Sequence, residues 1–286
     1  MNAPGPTAGL SLLSASCWGG SDFVGGLGAR RAPALLVAAS GHLFSLLLLL
    51  GVCLTLRAPL PGAHPLIYAA AGGFEGALAL AVFYRALAMG SMGLTAALTG
   101  LLTALIPVLF SFLHDGLPTP LTAAGLGMGL ASIWLITRAP EAHESKAGAH
   151  TVSPQALLLG ALAGIGFGAQ LILFKFAGEG GILWPITAAR AAGCAAMLLA
   201  LLAMPPRGAW RGFWLTGICA GALDTVGNLF YLRATQLGRL DVAALICSLD
   251  PAGTILLASL VLHEQPTRRQ LAGIALALSA VLLLGA

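Results

Sequence analysis

Six ionisable side chains lie inside long apolar stretches of the sequence, where charged residues are rare. They are Asp22, His42, Glu75, Arg190, Asp224 and Asp250. A charged side chain at the centre of a bilayer costs about 2.5–3.5 kcal/mol on insertion scales. Each carboxylate must therefore face a cavity, pair with a cation or carry a proton. We expect the four carboxylates to form the core of a substrate site, with protons as the candidate coupling ion.

Trp18 and Asp22 are four residues apart, which puts them on one face of a helix. Together they offer a carboxylate to an ammonium group and a ring face for stacking or a cation–π contact. The alternative is that Trp18 packs against neighbouring helices and that Asp22 caps a helix break at Gly25-Gly26.

Asp224 and Asn228 are also one helical turn apart. We predict that this polar stripe lines the cavity together with Gln170. His42 and Arg190 are predicted to pair with carboxylates and so hold their helices in place, with a direct ligand role as the alternative.

The dipeptide Asp250-Pro251 predicts a kink within an apolar span, because Pro has no backbone N–H to donate. The carbonyl groups freed by the kink would face the cavity. The alternative is a kink that serves helix packing alone.

The sequence also repeats itself at a spacing of 148 residues. The matching segments are Arg85-Ala86 with Arg233-Ala234 and Pro118-Thr119 with Pro266-Thr267. The matching polar positions are Asp22 with Gln170, His42 with Arg190 and, one residue out of register, Glu75 with Asp224. We therefore predict a central polar cavity lined by helices 1, 3, 6, 8 and 9.

Composition indicates a membrane protein. Charged residues make up 8% of the chain and hydrophobic residues 58%, whereas a soluble domain carries roughly a quarter charged residues. A span of about 20 apolar residues crosses the hydrocarbon core. Ten spans are predicted, at residues 7–28, 34–56, 65–88, 92–113, 120–137, 154–177, 182–203, 211–235, 240–262 and 269–285.

The spans divide into two halves of five, and an odd number of spans per repeat forces the halves into opposite orientations. The predicted fold is therefore all-α and integral to the membrane, with ten transmembrane helices as two inverted five-helix repeats. The repeats are residues 1–137 and 154–286, joined by a hydrophilic linker at 138–153. Inverted repeats are typical of secondary transporters, whose substrate site lies near the bilayer midplane where the repeats meet.

Other classes of function lack their sequence signals. The net charge of +4 is spread over loops without a basic block, so no nucleic-acid partner is predicted. The five Cys lie in apolar spans without CxxC spacing, so neither a disulfide framework nor a metal site is predicted. HExxH, GxSxG and P-loop motifs do not occur. We predict no cofactor and no enzyme activity, and uphill transport would have to use an ion or substrate gradient.

The distribution of Lys and Arg predicts the orientation in the membrane. Nine lie on the side reached after the odd-numbered spans and four on the other side. By the positive-inside rule the side with nine is cytoplasmic, which puts both termini outside.

The stretch from Asp250-Pro251 to Val281 resembles EamA-type members of the drug/metabolite transporter (DMT) superfamily. Pro251, then His263-Glu264-Gln265-Pro266-Thr267, then Gly273 is similar to the family's Pro…Gly-Glu-x-x-Thr…Gly pattern. Trp18-Gly19 and Phe83-Tyr84-Arg85-Ala86 also look typical of the family. Two departures stand in the first half: Asp115 is one position out of register with Glu264, and Pro107 is displaced by four from Pro251.

The resemblance covers nearly the whole chain. It implies an exporter of amino acids, metabolites or drugs with both termini in the cytoplasm, which is opposite to the orientation that the charge count predicts.

The sequence thus indicates a secondary transporter, an exporter of a small metabolite, amino acid or drug-like compound across the cytoplasmic (inner) membrane by alternating access. Its predicted partners are a small-molecule substrate, the lipid bilayer and protons, and the sequence predicts no oligomeric state. Two alternatives come from other classes. One is an intramembrane enzyme that uses Asp22 and Glu75 as an acid–base pair, and the other is a membrane scaffold without transport activity.

Overall fold

The computed structural model describes residues 4–29, 31–87, 92–137, 154–206, 212–261, 263 and 266–285, and these residues form helices and turns without a strand. The predicted linker at 138–153 lies outside them. The α-helices are α1 (Pro4–Ala29), α2 (Ala34–Thr55), α3 (Ala63–Leu87), α4 (Met92–His114), α5 (Pro120–Thr137), α6 (Pro154–Ala177), α7 (Leu183–Ala203), α8 (Phe213–Leu237), α9 (Leu240–Cys247), α10 (Asp250–Val261) and α11 (Arg268–Gly285). A 3₁₀ turn at Gly178–Gly180 connects α6 to α7.

Each predicted span coincides with a helix, but the ninth is broken into α9 and α10. The break consists of Ser248 and Leu249, where the Leu249 N–H donates to the Ile246 carbonyl at 3.2 Å. Pro251 lies in the first turn of α10, a position that needs no backbone donor. The predicted kink is therefore a full interruption of the helix, located two residues before Pro251.

Within the described residues, seven helical segments are long and apolar enough to cross a membrane. They are Ala34–Thr55, Ala63–Phe83, Pro154–Gly180, Leu183–Ala203, Phe213–Leu237, Leu240–Val261 and Arg268–Gly285. Leu98–His114 and Pro120–Ile136 are shorter apolar helices. The chain is therefore a multi-pass membrane protein.

Large apolar side chains face outward, as a lipid environment allows. Leu47, Leu54 and Leu202 are 61%, 64% and 70% exposed. The interior contains many small residues, such as the fully buried Ala196 and Ala234. Small interior residues let helix backbones approach closely, which matters in lipid because the hydrophobic effect does not drive helices together there.

Glycine brings α2 and α8 into backbone contact. A Cβ on Gly221 would overlap the backbone of Gly41. The Ser45 hydroxyl donates to the carbonyl groups of Gly41 and Gly221 at 2.7 and 2.9 Å. A similar contact joins α3 to α7, because a Cβ on Gly73 would overlap the backbone of Ala189. These contacts fix the helices that surround the interior.

The helix α9 is enclosed by its neighbours. Its eight residues are all buried, and Leu240, Asp241 and Cys247 have no exposed surface. It packs against α1, α4, α5 and α8. The buried α9 therefore fills one end of the helix bundle, beside the turns after α4, α6 and α8.

Candidate functional site

A cavity of about 540 Å³ lies inside the helix bundle. Side chains from α1, α2, α3, α4, α6, α7 and α8 line it, together with residues at the break between α9 and α10. Small-molecule sites in proteins commonly occupy roughly 300–1,000 Å³. The cavity therefore has the size of a small-molecule site, and both halves of the chain contribute to it.

The cavity extends toward one face of the bundle. Its lining on α1 runs from Trp18 to Ala29 at the end of the helix, and its lining on α2 begins at Ala34 in the first turn. Phe83 near the end of α3 and Gly217 near the start of α8 belong to the same face. We call this face the open end.

The opposite face, which we call the closed end, is cross-linked by ion pairs between helix termini. Lys175 near the end of α6 contacts both carboxylate oxygens of Asp115 at 3.1 Å. Arg239, between α8 and α9, pairs with the buried Asp241 at 2.9 Å and donates to the Gly116 carbonyl at 3.0 Å. These contacts tie α4, α6, α8 and α9 together on the side away from the cavity mouth.

The charged form of Asp115 is strongly favoured. Partial burial opposes its charge, but hydrogen bonds with Ser111, His114 and Lys175 and the charge of Lys175 outweigh that effect, so its pKa falls from 3.8 to about 2. The closed end therefore keeps its Asp115–Lys175 ion pair throughout the neutral pH range.

Asp22 and Asp250 meet at the inner part of the cavity. Both line it, and their carboxyl groups interact directly although they lie at opposite ends of the sequence. Asp250 begins α10, where the helix N-terminus favours a negative charge. Two ionised carboxylates in contact repel each other strongly, so the pair is suited to hold one proton between them.

Arg190 and Asp224 form an ion pair on the cavity wall. The Arg190 Nη2 lies 2.6 Å from the Asp224 Oδ2, but the oxygen is off the N–H direction, so the contact is a close charge pair rather than a well-aligned hydrogen bond. Arg190 is 7% exposed, and its Nε has no hydrogen-bond partner among the described residues. The pair nevertheless leaves little net charge at this part of the wall.

Asn228 and His42 extend this polar group. The Asn228 side-chain amide donates to the Asp224 carboxylate at 3.1 Å and to the Asp224 backbone carbonyl at 2.7 Å. The His42 ring Nδ1 lies 3.1 Å from the Ala38 carbonyl, and the ring interacts electrostatically with both Arg190 and Asp224. All of these residues line the cavity.

Trp18 forms an aromatic wall beside the acid pair. Its ring is tilted by 39° against Tyr231, with centroids 5.8 Å apart, and the Tyr231 hydroxyl donates to the Leu171 carbonyl at 2.8 Å. A Cβ on Gly227 would lie 2.6 Å from the Trp18 ring, so glycine makes room for the indole. The indole Nε1 is buried and has no acceptor within the described part of the chain.

Gln170 lies on the cavity wall contributed by α6, the helix that the 148-residue repeat matches to α1. A Cβ on Gly76 of α3 would overlap its side-chain amide. The two polar positions that the repeat relates, Asp22 and Gln170, thus both border the cavity.

Glu75 lies outside the cavity lining, unlike the other predicted site residues. One of its carboxylate oxygens packs close to Gly166 of α6, and the other is buried without a hydrogen-bond partner among the described residues. It shares a helix face with Leu78, which is 39% exposed. Of the two residues of the alternative acid–base pair, Asp22 therefore borders the cavity and Glu75 does not.

Several lining residues were missed by the sequence analysis. Phe83 and Phe167 line the cavity as a T-shaped pair with centroids 6.2 Å apart, and Thr103 and Ser248 add hydroxyl groups. Thr103 falls 148 residues before Pro251, so the repeat would have pointed to it. Side chains suited to hold a metal ion do not gather in groups of three within the described residues.

The second half of the chain is similar to a known family of proteins. Residues 154–286 match the EamA-like transporter family. The matched residues are those of the second predicted repeat. The resemblance that the sequence suggested from Asp250 to Val281 is thereby confirmed.

The fold of the whole chain has a solved counterpart. A crystal structure of another protein covers 97% of this chain and 97% of its own, with a TM-score of 0.76 and 19% sequence identity. At that identity the likeness concerns the fold alone. No curated protein matches this chain. The EamA-like match and the apolar helices together indicate a membrane transporter.

Proposed function

We propose that this EamA-like protein is a secondary transporter that moves a small substrate through the central cavity by alternating access. One observation carries the proposal: a charged cavity built by both halves extends to one face, while ion pairs and the buried α9 close the other. The break between α9 and α10 at the cavity also supports transport, because discontinuous helices commonly form the substrate sites of transporters.

We propose further that the chain spans the membrane ten times, as two inverted repeats. Contacts that recur at a spacing of 148 residues support this. Gly41 in the first half contacts Gly221 in the second half. The residues that the repeat matches to them, Ala189 in the second half and Gly73 in the first, are also in contact. Likewise, Trp18 contacts Gly227, and the residues that the repeat matches to them, Gly166 and Ala79, contact each other. Such exchange is expected of two repeats related by a pseudo-two-fold axis.

In this proposal the repeats are residues 1–137 and 154–286, joined by residues 138–153. The helix pairings support the division, since α1 packs mainly on α8 while α3 packs mainly on α6. Each repeat therefore interlocks with the other instead of folding against itself. Rocking of one repeat against the other would close the open end and separate the ion pairs of the closed end.

The substrate site of this transporter comprises Trp18, Asp22, Gln170, Asp224, Asn228 and Asp250, with His42 and Arg190 as pairing partners. Glu75 is left out because it does not border the cavity. The family indicates transport, and the resemblance to its exporters supports export of a metabolite, amino acid or drug-like compound across the cytoplasmic membrane, with protons as the coupling ion.

Cysteine accessibility tests alternating access without a known substrate. Both substitutions are made in a variant whose five native cysteines are replaced. Ala38→Cys puts a thiol on the cavity wall. Ser14→Cys puts one at a fully buried position on α1, one helical turn N-terminal to Trp18. A membrane-impermeant maleimide is applied to vesicles of each orientation. We expect Ala38→Cys to react from the open face and Ser14→Cys to react from the opposite face.

Reaction of Ser14→Cys requires a second conformation, because Ser14 is enclosed here and donates to the Gly227 carbonyl at 2.8 Å. Leu47→Cys on the lipid-facing surface of α2 serves as the control for background labelling. If Ser14→Cys stays unreactive from both faces while Ala38→Cys reacts from one, the protein does not alternate and the proposal fails.

A further inference from the structure

The charges that border the cavity suggest which substrates it selects, an inference that rests on the proposed transport function. Arg190 and Asp224 neutralise each other at 2.6 Å. Among the described residues, neither Asp22 nor Asp250 forms an ion pair with a cation, and both line the cavity. With one proton shared between them, Asp22 and Asp250 retain one negative charge.

We propose that the Asp22–Asp250 pair is the binding site for the ammonium group of a monocationic amine, and that the cavity discriminates against the corresponding zwitterionic amino acid. A cation between two carboxylates removes the same repulsion that a shared proton removes. The amine and the proton are therefore alternative occupants of one site.

The cavity wall fits the rest of such a molecule. Trp18 lies one helical turn from Asp22 and presents an aromatic surface beside the acid pair. Phe83 and Phe167 line the cavity nearer the open end. A cation near the face of Trp is attracted by the ring quadrupole. An aromatic or alkyl group on the amine would contact these rings.

The discrimination against amino acids follows from the ion pair that Arg190 already forms with Asp224. A substrate carboxylate needs a cation to offset its loss of water. Within the described lining, Arg190 is the residue that carries a permanent positive charge. It already forms an ion pair with Asp224. An amino acid would thus add a negative charge to a cavity in which Asp22, Asp224 and Asp250 already lie together.

Proton competition depends on every charged group that faces the pair. The charged or titratable groups are Asp224 on α8, the neutral Cys247 thiol on α9 and, beyond Asp224, Arg190 on α7 and His42 on α2. Asp224 is paired with Arg190, so protonation of the Asp22–Asp250 pair is the step that competes with amine binding. We expect amine binding to weaken as the pH falls and protons occupy the pair.

Matched ligands test the proposal on the purified full-length protein in detergent. Phenethylamine and tryptamine are compared with phenylalanine and tryptophan, which add a carboxylate, and with 2-phenylethanol, which lacks the charge. Thermal unfolding and calorimetric titration report binding. We expect the two amines to stabilise the protein and to bind at least about tenfold more tightly than the amino acids and the alcohol.

Variants locate the site. Asp22→Asn and Asp250→Asn should each weaken amine binding by about tenfold or more, since each removes a charge that the ammonium group would contact. Glu75→Gln is the matched control, because it removes an intramembrane carboxylate that lies outside the cavity. It should leave the amine dissociation constant unchanged. Two Asp variants are used so that a folding defect in one leaves the other informative.

The results separate this inference from the transport proposal. Equal or tighter binding of the amino acids or of 2-phenylethanol, no binding of either amine, or unchanged amine binding in both Asp variants would overturn the amine site. Each of those results leaves transport standing if Ser14→Cys still reacts from the opposite face. Failure of that labelling would instead reject alternating access, whatever the amines do.

Discussion

At the scale of single residues, the ion pair of Arg190 with Asp224 is the interaction whose loss should cost most stability. Arg190 is 7% exposed, and its Nη2 lies 2.6 Å from the Asp224 carboxylate. Replacing Arg190 with Met leaves Asp224 unpaired inside the membrane. We expect this to lower the unfolding free energy by about 3 kcal/mol. This value is at the lower end of the range for broken buried ion pairs, because Asp224 also borders the cavity.

Denaturant unfolding of the purified protein in detergent measures this cost. The double variant Arg190→Met with Asp224→Leu is the control, since it removes both charges, and it should recover most of the lost stability. A single Arg190→Met variant as stable as the parent would mean that the pair contributes nothing to folding.

Asp115 carries a pH-dependent contribution at the closed end. Its pKa is about 2 in the folded protein against 3.8 unfolded, so its contribution is fully present above pH 3.8 and is lost as the pH falls through 2. Asp115→Asn should therefore lose about 1–2 kcal/mol at neutral pH, a figure reduced because the side chain is partly exposed.

The difference in unfolding free energy between the parent and Asp115→Asn, measured from pH 7 to pH 2, checks this expectation. The difference should shrink toward the acid end. A constant difference across that range would show that Asp115 acts through packing rather than through its charge.

At the scale of helices, the sequence predicted the spans but not the partners that they bring together. Apolar runs of about 20 residues locate helices well because only a continuous helix satisfies its backbone in lipid. The break at Ser248 and Leu249 was predicted as a kink because Pro251 marks the region, while the residues that interrupt the helix carry no strong local signal. The contact of Asp22 with Asp250 has no signal at all, since it depends on how α1 packs against α10.

Glu75 illustrates the same limit. Its type and depth predicted a cavity position, but helix rotation decides which way a side chain points. On α3 it shares its face with the exposed Leu78, while Gly76, the next residue, borders the cavity. A one-residue offset between Glu75 and Asp224 in the 148-residue repeat was the available hint that the two residues are not equivalent.

Helix contacts through glycine yield a further prediction. A Cβ on Gly221 would overlap the Gly41 backbone, so Gly221→Ala must push α2 and α8 apart. Overpacking of this kind costs about 1–3 kcal/mol. Gly73→Ala should cost a similar amount, since it meets the Ala189 backbone between α3 and α7.

Gly51→Ala on α2 is the matched control for these glycine variants. A Cβ there meets nothing within 4 Å, so the change should be neutral or stabilise by up to about 1 kcal/mol through helix propensity. The comparison uses detergent unfolding of all three variants. Equal stability of Gly221→Ala and Gly51→Ala would contradict the close packing of α2 on α8.

At the scale of the whole molecule, the cavity mouth and the C-terminal helix end lie on opposite faces of the bundle. The lining reaches Ala29 at the end of α1 and Ala34 at the start of α2, whereas α11 ends on the face of the closed end. A reporter fused after Ala286 therefore identifies the face that is closed in this structure. The thiol of Ala38→Cys should react from the side opposite to that reporter in either orientation of the protein.

The charge distribution predicts which orientation occurs. In the sequence, nine Lys and Arg follow the odd-numbered predicted spans and four follow the even-numbered ones, so the positive-inside rule predicts a cytoplasmic mouth and an external C-terminus. We expect a periplasm-active reporter after Ala286 to be active and the maleimide to reach Ala38→Cys from the cytoplasmic side. An inactive reporter, with labelling from outside, would mean that the structure represents an outward-facing state. The ion pairs of Asp115 and Arg239 would then close the cytoplasmic path of export.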